Sequence, residues 1–501
     1  MTNITQLMTT FFDFLSSQDK NWSLCTFPFM ASFLVFFAIY IGLNRYRQTW
    51  TKAYVIAFSL FFAFKANGVL MWLLPIVTIS SWYLTRFMMR LKRGKVRRIG
   101  LAIVILTELL PLLYYKYSNF TLEIFHELLR SNFSPEKMLL PVGISFFTFQ
   151  AISYTVDVYK GRYPKTAELI DYAFYLTFFP LLIAGPITRA EVLLPQVQTP
   201  KDNVNENLVY KGLWLIICGL IKKALIADYI AQYNNIVFDA PASQSGFGNL
   251  MGVLGFSVQI YFDFSGYSDL AIGVAALMGY ELKDNFRFPY QSLNLTEFWH
   301  RWHIALSTWF RDYLYIPLGG NRKGKLRTYL NSFLAMIVAG LWHGASWMFI
   351  VWGVLHGIGL VIHKFCRNNG LDKIPDNKYT KGISWFITFS YVSLAWIFFR
   401  AADMTTATTL INNILHTISL SDAYTFLMEY PLWLAVVLIS LELHSIRETD
   451  YNWLQNKFIN SSWLVKLCIF AVVMQLVINL SHHSIQPFIY AQFENGRQIQ
   501  L

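Results

Sequence analysis

The chain of 501 residues carries 55% apolar but only 14% charged side chains, with a mean hydropathy of +0.39 and a formal charge of +12. Soluble domains hold about 25% charged residues, and the shortfall here is concentrated in charge-free stretches such as the 24 residues from Asn21 to Asn44 and the 36 from Thr328 to His363. A secreted disulfide domain, a fibrous protein and a disordered chain are excluded, and an all-α polytopic integral membrane protein is expected, with Trp and Tyr belts at both interfaces.

Spans need about 20 apolar residues, fewer where neighbours shield a helix. In chain order the sequence predicts passes near 26–44, 53–66, 67–85, 99–118, 139–158, 168–187, 207–227, 246–280, 328–363, 380–399, 429–443 and 462–481, about eleven to thirteen crossings. The two long runs, 246–280 and 328–363, fit either one tilted helix or a broken pair. The cluster Arg86, Arg90, Lys92, Arg93, Lys95, Arg97 and Arg98 has no acidic residue within it and marks a cytoplasmic loop. Arg45, Arg47 and Lys52 mark another, so a short hairpin runs out and back between them and the N-terminus lies outside. Arg322, Lys323, Lys325 and Arg327 mark a third. Basic residues placed at segment ends answer to topology and give no nucleic-acid surface. The first basic residue is Lys20, so the charged start of a cleavable signal is missing. Cys25, Cys218, Cys366 and Cys468 are far apart and form no disulfide framework or CxxC pair. Without a fixed-period repeat or low-complexity linker, residues 1–501 read as one membrane domain.

Ionisable residues inside apolar segments are expensive and usually face a partner or a cavity. Asp263 and Asp269 interrupt the run Tyr261 to Asp269. Either they bind backbone amides or pair with an arginine of the next segment, or they form an ion or substrate site. The segment Glu297 to Tyr313 is amphipathic and too charged to span. At helical spacing Trp302, Leu306, Trp309 and Tyr313 make one stripe, with His303 and Ser307 on an adjacent face. It is expected at the interface or re-entering from the cytoplasmic side. His300 and His303 have no evident third ligand, and a metal site needs at least three, so no metal is expected. His343 stands about 16 residues into the stretch that starts at Thr328, roughly 24 Å along a helix. Gly340 and Gly344 flank it, allowing close helix approach or a backbone break that leaves the imidazole in a cavity; a functional role is favoured. His356 reads as structural. A Walker A loop, a dinucleotide fingerprint, a GxSxG elbow and an HExxH pair are all missing, which disfavours an ATP-driven pump and the common serine and zinc hydrolases.

The run FWHRWHIALSTWFRDYLYIPLGG at Phe298 to Gly320, then Asn321-Arg322-Lys323-Gly324 and GLWHGASW at Gly340 to Trp347, closely resembles the membrane-bound O-acyltransferase (MBOAT) family, in the bacterial branch typified by alginate O-acetyltransferase subunit I. Supporting text lies at Pro141 to Gln150, Phe178 to Arg189, Val258 to Gly273, Asn285 to Tyr290, Trp396 to Ala401 and Pro487 to Phe493. The resemblance implies helices around a funnel, with a tunnel joining the two membrane faces, and catalytic positions at His343 and His303. His300 stands where many relatives have arginine, which touches only how that flank meets headgroups or donor.

Acyl transfer from a thioester to a hydroxyl needs a base for the hydroxyl proton, and histidine suits that task. His343 is read as the base and His303 as the residue that positions the donor or polarises its carbonyl. Ser307, Trp309, Asp312 and Trp342 are read as supports, with residues 258–363 as the catalytic core. No bound cofactor is implied; acetyl-CoA or another acyl thioester would be the donor substrate, received at the basic loop from Asn321 to Arg327. The expected activity is O-acetylation of a cell-envelope or exported polysaccharide from the bacterial inner membrane, with a periplasmic or membrane-anchored esterase-like partner completing transfer. D-alanyl or other acyl transfer to teichoic acid, peptidoglycan or lipid is the alternative within the chemistry. An ion-coupled transporter using Asp263, Asp269 and His343 is the alternative of another class, weakened by the lack of duplicated halves. Ser265, Ser307 and Ser346 are the available covalent carriers, which direct transfer would not need.

Overall fold

The computed structural model describes residues 13–14, 17–18, 22–44, 48–129, 139–163, 165–199, 205–371 and 377–480. Lys20, Arg45, Arg47 and the stretch 487–493 lie outside the described residues. Every regular element among the described residues is helical, as a chain that must satisfy its backbone polar groups inside a bilayer requires. The packing divides the chain into two units, residues 1–115, 138–185 and 189–204 in one, and 116–137, 186–188 and 205–501 in the other.

In the first unit Gln48–Asn67 and Leu73–Arg90 are joined by a 3-10 turn, Gly68–Trp72, which starts at a left-handed glycine with φ +57°. A straight helix would hold Lys52 and Ser81 about 43 Å apart. Yet Lys52 Nζ meets Asp171 Oδ1 at 2.6 Å and Ser81 Oγ meets Tyr172 Oη at 2.7 Å. Because Asp171 and Tyr172 are neighbours, the chain folds back at the turn as the expected hairpin. Phe179 anchors the core against Phe29, Phe36, Phe58 and Phe62, with ring centroids 5.0–6.1 Å away. The pass expected over 168–187 is corrected: two short helices, Leu169–Thr177 and Phe179–Leu182, take its place. Pro180 lacks an N–H for a continuing helix, and Gly185-Pro186 follows at once.

In the second unit the 246–280 run is a single helix, Gly246–Leu277, whereas 328–363 is a broken pair, Lys325–His343 and Trp347–Asn368. Glu206–Leu220 continues through a π-helical turn, Ile221–Ala227, into Asp228–Asp239. This helix runs antiparallel to Gly246–Leu277 at very close range. A Cβ on Gly212 would lie 2.8 Å from Gly273 O, and one on Gly219 would lie 2.7 Å from Gly266 O, the small-residue contact that brings membrane helices together.

Among the described residues four stretches are long and apolar enough to cross a bilayer: Phe27–Asn44, Gln48–Arg90, Trp347–Asn368 and Lys378–Arg400. Two bent pairs, Leu420–Glu429 with Pro431–His444 at 93° and Glu448–Ile459 with Trp463–Asn479 at 114°, are each either a broken span or a re-entrant loop, and raise the number to six where each is one span. The other expected passes are shorter or more polar helices. Many large apolar side chains on the apolar stretches point outward, including Leu34, Ile76, Ile362 and Phe386, as a surface solvated by lipid demands.

Candidate active site

Two structural breaks create the site. The expected stripe of Trp302, Leu306, Trp309 and Tyr313 is interrupted, because Leu295–Arg301 ends and Ile304–Phe310 begins on either side of a left-handed His303 at φ 42°, ψ 56°. Such a backbone is costly for a residue with a Cβ and persists only where surroundings over-determine it. Asn285 supplies the constraint. Its Oδ1 accepts from Ala305 N at 3.2 Å and lies 3.1 Å from His303 Nδ1, its carbonyl accepts from Ile304 N at 2.8 Å, and its Nδ2 donates to Ser268 Oγ at 3.1 Å. Since Oδ1 already accepts from a backbone N–H, His303 carries its proton on Nδ1 and presents a bare Nε2. That nitrogen is buried and has no hydrogen-bond partner among the described residues. In this neutral form His303 accepts a proton or an N–H; polarising a carbonyl would require a second proton at Nε2.

The other break is at Gly344–Ser346, between the two helices of the 325–368 pair. His343 is the last residue of its helix and is buried. Its ring stands edge-on to Trp342, Trp352 and Phe399, at centroid distances of 5.0–5.2 Å. Trp342 also lies 6.2 Å from His303, so one indole bridges the two histidines that the sequence singles out. His356 packs between Trp299 and Trp352.

A cavity of about 490 Å³ is lined along one helix from Thr328 to Ala339 and along the next from Leu360 to Asn368, with Ile304, the neighbour of His303, also in its wall. Ala339 is one turn before His343. The wall carries Ser307 and Trp299, and the cationic or titratable groups His300, Arg311, Lys364 and Arg367. The volume falls within the roughly 300–1,000 Å³ of small-molecule sites. A second cavity, of about 360 Å³, has Asn285, Lys222, Asp269 and His444 in its wall.

The remaining candidates from the sequence separate into two groups. Ser307 is in the cavity wall, its Oγ donating to Trp302 O at 3.1 Å. Trp309 is buried against Phe310 and Tyr313, and Asp312 pairs with Arg311 at 2.8 Å. Asp263 and Asp269 are not brought to the histidines. Lys223 meets Asp263 at 2.5 Å and Asp228 at 2.8 Å, and Lys222 meets Asp269 at 2.6 Å. Both carboxylates therefore serve the π-helical turn of the preceding segment. Their partners are lysines of the preceding segment, where the sequence offered an arginine of the next one. Among the described residues no disulfide links the cysteines, and no group of metal-ligating side chains occurs. Sequence reasoning missed Asn285, although it opens the quoted NFRFPY text. It also missed Lys116 and Tyr117, for which a lone lysine in an apolar run was the available signal.

The second unit thus holds two buried histidines at helix breaks, His303 and His343, and a cavity of ligand size. The chain belongs to the MBOAT, membrane-bound O-acyltransferase family, whose match covers residues 58–399, and it is a membrane-bound O-acyltransferase. It is 38% identical over 382 residues to a probable alginate O-acetylase of Pseudomonas aeruginosa, covering 74% of this chain and 71% of the relative. It is 33% identical over 491 residues to a peptidoglycan O-acetyltransferase of Helicobacter pylori, covering 91% and 89%. A teichoic acid D-alanyltransferase of Streptococcus thermophilus is 34% identical over 289 residues, 53% of this chain and 69% of the relative.

Proposed function

We propose that the chain takes an acetyl group from a cytoplasmic thioester, acetyl-CoA, and delivers it for O-acetylation of a cell-envelope or exported polysaccharide. The observation that carries this reading is the cavity with a cationic wall that ends one turn short of His343. A phosphate-rich donor suits His300, Arg311, Lys364 and Arg367 at that wall, with the acyl end directed inward. An imidazole of His343 takes the proton of the attacking hydroxyl as its oxygen bonds to the thioester carbonyl carbon. The tetrahedral intermediate then collapses with loss of the C–S bond, and the proton passes from His343 to the departing thiolate. His303, held by Asn285, orients the donor through Nε2, and Trp342 keeps the two imidazoles apart. Direct transfer of this kind needs no serine carrier at 265, 307 or 346.

A polysaccharide acceptor is supported by the names of the alginate and peptidoglycan relatives, and acetyl over D-alanyl by their greater coverage. Residues 258–363 carry the chemistry within one membrane domain. The chain sits in the bacterial inner membrane with its N-terminus outside, and an esterase-like partner supplies the attacking hydroxyl and then passes the acetyl group to the polysaccharide at the outer face. The test is ester-linked acetate released by mild alkali from envelope polysaccharides of the wild type, a null strain, and the null carrying His343→Ala at matched membrane abundance. Acetate is expected to be lost in both. Wild-type acetate with His343→Ala would remove the base assignment. Transfer of radiolabelled acetyl by purified protein without any gradient separates this reading from ion-coupled transport.

A further inference from the structure

An α-helix leaves the carbonyls of its last turn without intrahelical partners, and at a helix end removed from water, protein groups must meet them. The Lys325–His343 helix ends on the proposed base itself. Gly340 O accepts from Gly344 N at 3.3 Å, Leu341 O from Tyr117 Oη at 2.8 Å, and Trp342 O from Lys116 Nζ at 2.5 Å. Both side-chain donors end one π-helical turn, Leu113–Tyr117, so consecutive residues meet consecutive carbonyls. The Lys116 ammonium also lies 5.6 Å from the centroid of the Trp342 ring, within cation–π range. A cation at the negative end of a helix is favourable. A lysine in an apolar segment is otherwise expensive, and between Arg98 and Glu123 the only charged residues are Glu108 and Lys116.

We infer that Lys116, assisted by Tyr117, is a positioning residue for His343: it holds the carbonyl end of the 325–343 helix so that this helix can stop at the histidine and present its ring beside Trp342. The inference rests on the reading of His343 as the proton acceptor. Pi-helical turns are frequent at functional sites because they re-aim side chains. Here the turn aims an ammonium and a phenol at the two carbonyls that immediately precede the base.

Lys116→Met keeps the aliphatic stem and removes the charge, Lys116→Arg keeps the cation, and Tyr117→Phe removes only the neighbouring donor. Each is compared with the wild type and His343→Ala as the full chain at matched membrane abundance, reading alkali-labile envelope acetate. Amide hydrogen exchange is read on purified protein in lipid nanodiscs, with the thermal midpoint as control. Lys116→Met should lower acetate about ten-fold or more, the scale of a misplaced catalytic group. It should raise exchange in the segment 341–346 alone, with the midpoint unchanged and with most acetate restored by Lys116→Arg. Tyr117→Phe should give a smaller effect of the same kind. Wild-type acetate and unchanged exchange in Lys116→Met overturn the proposal. So does a rise in exchange along the whole chain with a lowered midpoint, which marks a general packing role. If His343→Ala keeps wild-type acetate, the assignment of the base fails, and the exchange pattern still decides whether Lys116 holds the helix end.

Discussion

At the scale of single residues, the proposed site depends on how a histidine is held as much as on its presence. His303 sits at φ 42° because Asn285 bonds the three residues His303, Ile304 and Ala305. Replacing Asn285 with leucine removes the acceptor for two N–H groups and the tautomer constraint together. Asn285→Leu is therefore expected to lower acyl transfer by about 10²-fold, the cost of roughly 1 Å of misplacement. Asn285→Asp, which keeps an acceptor, should lose less. Rates of thiol release from acetyl-CoA by purified protein check this, and equal losses in both variants would show that orientation of His303 is not what Asn285 supplies. His303 and His343 were legible because an imidazole inside an apolar or re-entrant segment is conspicuous in any sequence. Asn285 was not, since a side chain 18 positions upstream acts through a left-handed backbone that no residue pattern announces at a histidine.

At the scale of elements, hydrophobic pattern located most helices but could not say which would break. The runs 246–280 and 328–363 are alike in length and apolar character, although only the first carries carboxylates. The first stays whole because Ser245 caps its start by accepting from Gly248 N and because it packs at contact distance on Glu206–Leu220. The second breaks at Gly344, whose backbone lies at φ −166° and ψ 150°, and folds into a hairpin. Its two arms touch backbone to backbone: a Cβ on Gly353 would lie 2.5 Å from Met336 O, and one on Gly340 would collide with Phe349 O. Gly353→Val must push the arms apart, at a cost of about 1–3 kcal/mol for overpacking. The expected result is a lower thermal midpoint and less folded protein by fluorescence size exclusion, together with loss of acyl transfer beyond the loss of folded protein, because the arms carry His343 and the cavity wall. Transfer that falls only in proportion to folded protein would separate the hairpin spacing from the site.

At the scale of the whole molecule, charge placement is the basis of the direction proposed for the chain. The buried carboxylates of the second unit are neutralised locally by Lys222 and Lys223, which leaves the basic residues of the loops to orient the chain. Arg322, Lys323, Lys325 and Arg327 cluster before the helix that ends at His343; in the proposed orientation that helix starts at the cytoplasm and carries its histidine about 27 Å from Lys325. The Trp347–Asn368 helix returns to the same side with Arg367 in its last turn, and the Lys378–Arg400 helix, with Lys378 and Lys381 at its start, must then end at the opposite face. In that proposed orientation the cationic wall of the large cavity would lie at the cytoplasmic ends of the first two helices, where a soluble donor would meet it. In a background lacking Cys25, Cys218, Cys366 and Cys468, Lys323→Cys should resist a membrane-impermeant maleimide in intact spheroplasts and react only after permeabilisation. Ala402→Cys, exposed just beyond Arg400, should react in both. The reverse pattern would put the cationic wall outside, away from any cytoplasmic thioester, and with it would fall the donor route rather than the acyl-transfer chemistry.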